Sequence, residues 1–211
     1  MGNFWTEVYN YALQIDFLEF LGLVFGILAV WYLIKQSLWT WPAGIAYIII
    51  SFVIFWRIQL YGDFILHIFF LILNIYGWYY WVYGKKSKDH KELEVTRLSL
   101  QANLLVLLAT AVGVVVFGIF LQELPGLIDG LEPAALPYWD ATTSILSVTG
   151  MWLTTRKKIE NWYYWLIVDV LATGIYIYKG IYFYALLYGI YIILAVMGYL
   201  EWRKSMQNDA S

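Results

Sequence analysis

Seven stretches of this chain are apolar enough and long enough to cross a bilayer, a passage that takes a helix of about twenty residues. They cover residues 16–34, 41–57, 64–83, 99–121, 138–155, 161–178 and 181–201. A soluble fold has no means of hiding them. Only 13% of the residues are charged and 62% are hydrophobic, against about 25% charged in a soluble domain, and exposed apolar surface on that scale drives association. The sequence therefore predicts an all-α polytopic membrane protein with seven transmembrane helices. An aromatic share of 20% suits a protein that anchors itself at two wet interfaces. Trp5, Trp39 and Trp202, near segment ends, read as such anchors.

The same residues exclude several classes of function. With no cysteine there is no disulfide framework, thiolate nucleophile or zinc-thiolate site. His67 and His90 lie too far apart for a metal-binding spacing. A net charge of -2 gives no nucleic-acid footprint. No basic segment precedes the first apolar run, so no cleavable leader is expected, and Phe4 to Ile15 reads as a short interfacial helix. A retinal protein needs a lysine midway along its last helix, which 181–201 lacks. An enzyme needs a nucleophile–base pair or paired carboxylates, and Asp169 stands alone on its segment. No cofactor or metal is expected.

Lys and Arg set the direction of the chain. Lys35, Lys85, Lys86, Lys88, Lys91, Arg97, Arg156, Lys157, Lys158, Arg203 and Lys204 fall on one side. Arg57 and Lys179 fall on the other. That partition of eleven against two uses all 13 basic residues and puts the N-terminus outside and the C-terminus in the cytoplasm.

The chain also repeats itself. One ungapped register lays the first three segments on the last three, pairing Trp31 with Trp152, Trp41 with Trp162, Tyr61 with Tyr182, Gly77 with Gly198 and Trp81 with Trp202. Lys35 falls on Arg156 and Glu19 on Asp140. Three spans reverse a chain's direction, so a fourth is needed to bring the second copy back parallel to the first. The expected organisation is an interfacial segment 1–15, a three-helix repeat 16–83, a basic cytoplasmic linker 84–98, a linking helix 99–121, a second repeat 138–201 and a tail 202–211. Two parallel repeats in a 3+1+3 arrangement build a central cavity and reach alternating access by rocking. That is the layout of a transporter.

Polar groups within spans are costly and point to function or to helix packing. Trp162, Trp165, Asp169, Thr173 and Tyr176 share one stripe of the sixth span. Asp169 is ~12 Å from its cytoplasmic end. His67, Asn74, Trp78 and Trp81 share a stripe of the third, with Asn74 ~15 Å from the outer end. Asp169 and Asn74 can thus meet at one depth. His67 reads as packing. Thr143, Ser144 and Ser147 of the fifth span read as close helix contact, and Glu19 and Asp140 as structural or gating groups near the outer ends.

Two strings carry a resemblance. Gln59-Leu60-Tyr61 followed by Asn74-Ile75-Tyr76-Gly77-Trp78-Tyr79-Tyr80-Trp81, and Pro137-Tyr138-Trp139-Asp140 with Thr155-Arg156-Lys157 and Glu160-Asn161-Trp162 through Trp165, resemble the PnuC vitamin transporters over nearly the whole chain. The resemblance implies facilitated diffusion of nicotinamide riboside, an NAD precursor, across the bacterial inner membrane. It also implies kinship with the SWEET sugar transporters, and with it a homo-oligomer, as a homotrimer. The substrate-binding set it suggests is Gln59, Asn74, Tyr76, Trp78, Ser147, Trp162, Trp165, Asp169 and Thr173. A pyridinium over an indole face gains ~2 kcal/mol or more when desolvated; Asp169 can balance its charge, and Asn74 can pair with the carboxamide or a hydroxyl. The phosphorylated mononucleotide would call for Arg or Lys inside a span, and no span interior has one. A carrier for thiamine, riboflavin or a sugar is the nearest alternative, since the same aromatic walls stack on those ligands.

Overall fold

Asp16 separates a short amphipathic helix, α1 (Phe4–Gln14), from the first long one. Its carboxylate accepts the backbone N–H groups of Leu18 at 2.6 Å and Glu19 at 2.9 Å, satisfying donors that a helix start leaves open. From that cap runs α2 (Phe17–Ile34), followed by α3 (Thr40–Arg57), α4 (Tyr61–Tyr83), α5 (Leu100–Leu127), α6 (Pro137–Thr155), α7 (Asn161–Tyr178) and α8 (Tyr182–Asn208). These come from a computed structural model that describes residues 4–57, 61–84, 93–127 and 136–208. The chain is an all-helical polytopic membrane protein. Five of the described helices, α2, α3, α4, α5 and α8, are long and apolar enough to cross a membrane. Against the expected seven spans there are eight helices among the described residues: α1 is too short to cross, and α6 and α7 fall below that apolarity. The reason lies in their residues: α6 carries Thr142, Thr143, Ser144, Ser147 and Thr149, and α7 carries Asn161 and Asp169.

Two ends differ from the sequence reading. α5 continues six residues past 121, with Pro125 in its last turns. α8 runs on to Asn208, through residues expected to form a tail.

The internal repeat has a structural counterpart. Moved by the 121 residues that separate Trp31 from Trp152, α2, α3 and α4 fall on α6, α7 and α8 with starts matching to within a residue. The turns match as well. Gln36 and Lys157 occupy equivalent positions, and both take a left-handed backbone, at φ 55° and 52°. Each closes its helix the same way: Ser37 N–H donates to Tyr32 O and Lys158 N–H to Leu153 O, at 2.9 and 3.0 Å. This pattern ends many helices, with glycine favoured at the left-handed position.

Packing joins the two triplets into a ring. α2 packs on α3, α3 on α4, α4 on α6, α6 on α7, α7 on α8, and α8 returns to α2. α5 lies against α6 outside the ring, and α1 against α8. Where α5 meets α6, Gly113 admits Ile145 and the Thr110 and Thr149 hydroxyls meet at 3.1 Å.

One end of the ring holds four tryptophans in equivalent pairs. Trp41 presses on Gly77 and Trp162 on Gly198. Trp41 meets Trp81 edge-on at 5.1 Å and Trp162 meets Trp202 edge-on at 5.5 Å. Trp81 Nε1 donates to Thr154 O at 3.2 Å and Trp202 Nε1 to Leu33 O at 3.0 Å, each across a seam between the triplets. Leu33 and Thr154 are themselves an equivalent pair. Trp202 is therefore no interfacial anchor: it is fully buried, because it repeats Trp81. Trp5 and Trp39 are both about two-thirds exposed, at 65% and 66%.

The basic end is also strapped. Thr96 bridges to the α6–α7 turn, donating its N–H to Lys157 O and accepting from Ile159 N–H. Lys157, 3% exposed, donates through Nζ to Leu93 O at 2.6 Å and lies over the Trp81 ring. Removing the ammonium leaves that carbonyl without its donor. Lys157→Met is expected to cost ~1–3 kcal/mol, read as a lower unfolding temperature of the solubilised protein.

Candidate functional site

The stripe of α7 provides the core of the candidate site. Glu160 and Asn161 start the helix against the strap: Glu160 Oε1 accepts Leu98 N–H at 3.2 Å, and Asn161 donates to Lys158 O at 2.6 Å. Next to Asn161, Trp162 is buried against α8 through Gly198 and Trp202. Its indole N–H has no partner among the described residues, as is true of its counterpart Trp41. Trp165 lies beside Gly150 of α6, where a Cβ would come within 3.3 Å of its ring. A bulky side chain at 150 would push the indole away. Trp165 Nε1 donates to Thr154 Oγ1 at 3.2 Å.

Asp169 follows one turn later and is 7% exposed. Its carboxylate makes no hydrogen bond among the described residues. It lies within electrostatic reach of Tyr188 and Tyr191 on α8. Tyr191 OH in turn reaches Gly26 of α2, beside Tyr47 of α3. Thr173 spends its hydroxyl on its own helix, donating to Asp169 O at 2.7 Å.

On α4, Asn74 is 6% exposed and donates from Nδ2 to Phe70 O at 2.9 Å. Its Oδ1 lies against Gly44 of α3, where a Cβ would come within 2.5 Å. Gly44 is the counterpart of Trp165, so where the second triplet has a ring the first has a glycine covered by the Asn74 amide. Ser147 is buried on α6, at the position equivalent to Gly26.

Other members of the expected set sit elsewhere. Trp78 is 40% exposed. Tyr76 stacks on Trp152 of α6 at 5.8 Å and joins Tyr80 and Trp152 around the Arg156 guanidinium, which lies 4.5–5.2 Å from the three ring centres. Gln59 lies outside the described residues. His67 packs edge-on against Phe55 and Phe70, and its Nδ1 meets Asp63 O at 2.9 Å. Thr154, which orients Trp165, carried no sequence signal beyond its place ahead of Thr155-Arg156-Lys157. A cavity of about 340 Å³ lies apart from the stripe, lined by Lys35, Gln36, Glu201 and Lys204 near the ends of α2 and α8.

Six helices closed into a ring, with a carboxylate and an amide buried on two of them, are the build of a helical membrane carrier. The chain belongs to the nicotinamide mononucleotide transporter family, whose profile matches residues 16–204. This is a family of transporters, not enzymes. The chain is similar to the nicotinamide riboside transporter PnuC of Escherichia coli, at 28% identity over 94% of this chain and 90% of that one. It is also similar to the riboflavin/roseoflavin transporter RibM of Streptomyces davaonensis, at 24% identity over 91% of this chain and 87% of that one. A crystal structure of the vitamin B3 transporter PnuC superposes with a TM-score of 0.72 at 21% identity, covering 97% of this chain and 88% of that one.

Proposed function

We propose that this protein takes up nicotinamide riboside across the bacterial inner membrane by facilitated diffusion. In this reading seven helices, α2 to α8, span the membrane as two parallel three-helix repeats joined by α5. Rocking of the repeats, as in the SWEET-like 3+1+3 plan, exposes the site to each side in turn. The observation that carries the reading is the α7 stripe: beyond the packed Trp162, Trp165 supplies a ring face, and Asp169, 7% exposed, supplies a carboxylate with no hydrogen bond among the described residues. A buried polar group without a protein partner calls for an explanation, and a cationic pyridinium with ribose hydroxyls meets it. In this reading Asn74, set against Gly44 of α3, faces the same interior from α4.

The family takes its name from the mononucleotide, but the charges near the stripe favour the riboside. A phosphate needs Arg or Lys to receive it. Arg156 is held over Tyr76, Tyr80 and Trp152, and Lys157 donates to Leu93 O. Both are engaged in holding the protein together. Riboflavin is the second reading, favoured by the similarity to RibM; a neutral flavin would use the same walls with no call on Asp169. Uptake of labelled nicotinamide riboside, nicotinamide mononucleotide and riboflavin into liposomes containing only this protein decides among them. Saturable uptake of the riboside alone is expected.

Two further outcomes follow from this reading. The Lys/Arg partition orients Lys85–Arg97 to the cytoplasm, so a cysteine at Lys88, in a chain that otherwise has none, should stay unlabelled by an impermeant reagent in intact cells. With no paired carboxylates along a span, transport should need no sodium or proton gradient. Accumulation of the riboside above its outside concentration in liposomes, driven by an imposed ion gradient, would count against facilitated diffusion.

A further inference from the structure

Thr154 receives two indoles at once. Its hydroxyl accepts Trp165 Nε1 at 3.2 Å while donating to Gly150 O at 2.9 Å. Its carbonyl accepts Trp81 Nε1 at 3.2 Å from α4, across the seam between the triplets. The residue is 2% exposed, so no water competes for these bonds. A threonine hydroxyl that donates one turn back has its proton committed and its lone pairs aimed outward. It is thus a fixed acceptor for the Trp165 indole.

The other seam lacks this link. There Trp202 Nε1 meets Leu33 O at 3.0 Å, but leucine has no hydroxyl, and Gly44 stands where Trp165 would be. The two crossings are equivalent in backbone; the Trp81 crossing also carries Lys157 over its ring, and a second difference bears on the site. At Thr154 the bond that joins the triplets at the basic end and the bond that orients a wall of the candidate site share a residue. At Leu33 they do not.

We propose that Thr154 is a positioning residue for ligand binding, which sets the Trp165 ring plane through Oγ1 and ties it through its carbonyl to the Trp81 crossing. This rests on the reading that Trp165 is a wall of the nicotinamide riboside site. Replacing the hydroxyl by a methyl group frees the indole to rotate and weakens stacking. Loosening Trp81 shifts the end of α6 and with it the hydroxyl. Coupling of this kind is read by comparing single and double substitutions.

The test is equilibrium binding of nicotinamide riboside to purified, monodisperse protein. Thr154→Val is expected to weaken binding about three- to tenfold, and Thr154→Ser to restore it. In a Trp165→Ala background Thr154→Val should have no further effect. Trp81→Phe should weaken binding about threefold, and in a Thr154→Val background it should add nothing further. Should Thr154→Val prove unstable, Thr154→Ala gives the same comparison with less bulk. Wild-type affinity in Thr154→Val or Thr154→Ala, with Trp165→Ala impaired, overturns the positioning role and leaves the site standing. Additive effects of Trp81→Phe and Thr154→Val overturn the tie to the Trp81 crossing. Unchanged binding in Trp165→Ala instead refutes the site itself.

Discussion

Trp165→Ala is expected to weaken nicotinamide riboside binding tenfold or more, and Asp169→Asn to weaken it by a similar factor. The two losses have different origins. Truncating the indole removes the ring face over which a desolvated pyridinium gains ~2 kcal/mol, and leaves Thr154 Oγ1 without its donor. Neutralising Asp169 removes a buried acceptor that makes no hydrogen bond in the described protein, at ~1–3 kcal/mol once a ligand group goes unpaired. Since 1.4 kcal/mol is a factor of ten in affinity, either loss is measurable by titration calorimetry. Asp169→Asn should discriminate ligands as well: a cationic riboside loses its counter-charge and a neutral flavin does not. Glu123→Ala, near the far end of α5 and away from the stripe, serves as the unaffected control. Tight riboside binding by well-folded Trp165→Ala and Asp169→Asn variants would mean that the stripe is packing.

Gly198→Ala is expected to destabilise the protein by ~1–3 kcal/mol, the usual cost of forcing extra volume into a packed interior. A Cβ on Gly198 runs into the ring of Trp162. That ring has no retreat, because it is 2% exposed and held edge-on by Trp202. Gly77→Ala should repeat the result, with Trp41 in place of Trp162. The contrast is Gly189→Ala on the same helix, where nothing lies within 4 Å of the added carbon. There the gain in helix propensity over glycine, ~0.5–1 kcal/mol, should stabilise. Thermal unfolding of the three variants in one detergent checks the order; equal unfolding temperatures for Gly198→Ala and Gly189→Ala would contradict the packing.

The helices themselves were legible from the residues. Long apolar runs leave a chain few alternatives to membrane helices, because every backbone N–H and C=O must then be paired within the segment. The sixth span, 161–178, coincides with α7 at both ends. Where the ends moved, as in α5 and α8, polar residues continue a helix that has left the apolar run, and periodicity in apolarity has no hold there. The repeat was legible too, since Trp and Gly at matching places reflect one packing device used twice.

Facing was not. The stripe holding Trp162, Trp165 and Asp169 follows from helical spacing, but the partner helix that each side chain meets depends on the closure of the ring. Trp202 shows the cost of reading a residue alone: its position near a span end suggests an interface, while its pairing with Trp81 in the repeat put it inside. Tyr76 was set beside Asn74 by sequence and is turned by α4 toward Trp152 and Arg156. Thr173 has a hydroxyl on the stripe and spends it on the Asp169 carbonyl. The amino-acid sequence by itself determined the helices, their duplication and the residue types available to bind a cationic, hydroxyl-bearing solute. Only the tertiary structure decided which helices meet around the ring and which indoles cross its seams, and it made Thr154 the residue that accepts both Trp81 and Trp165. Local spacing fixes a side chain's angle on its own helix, whereas contact across a seam depends on how the helices pack around the ring.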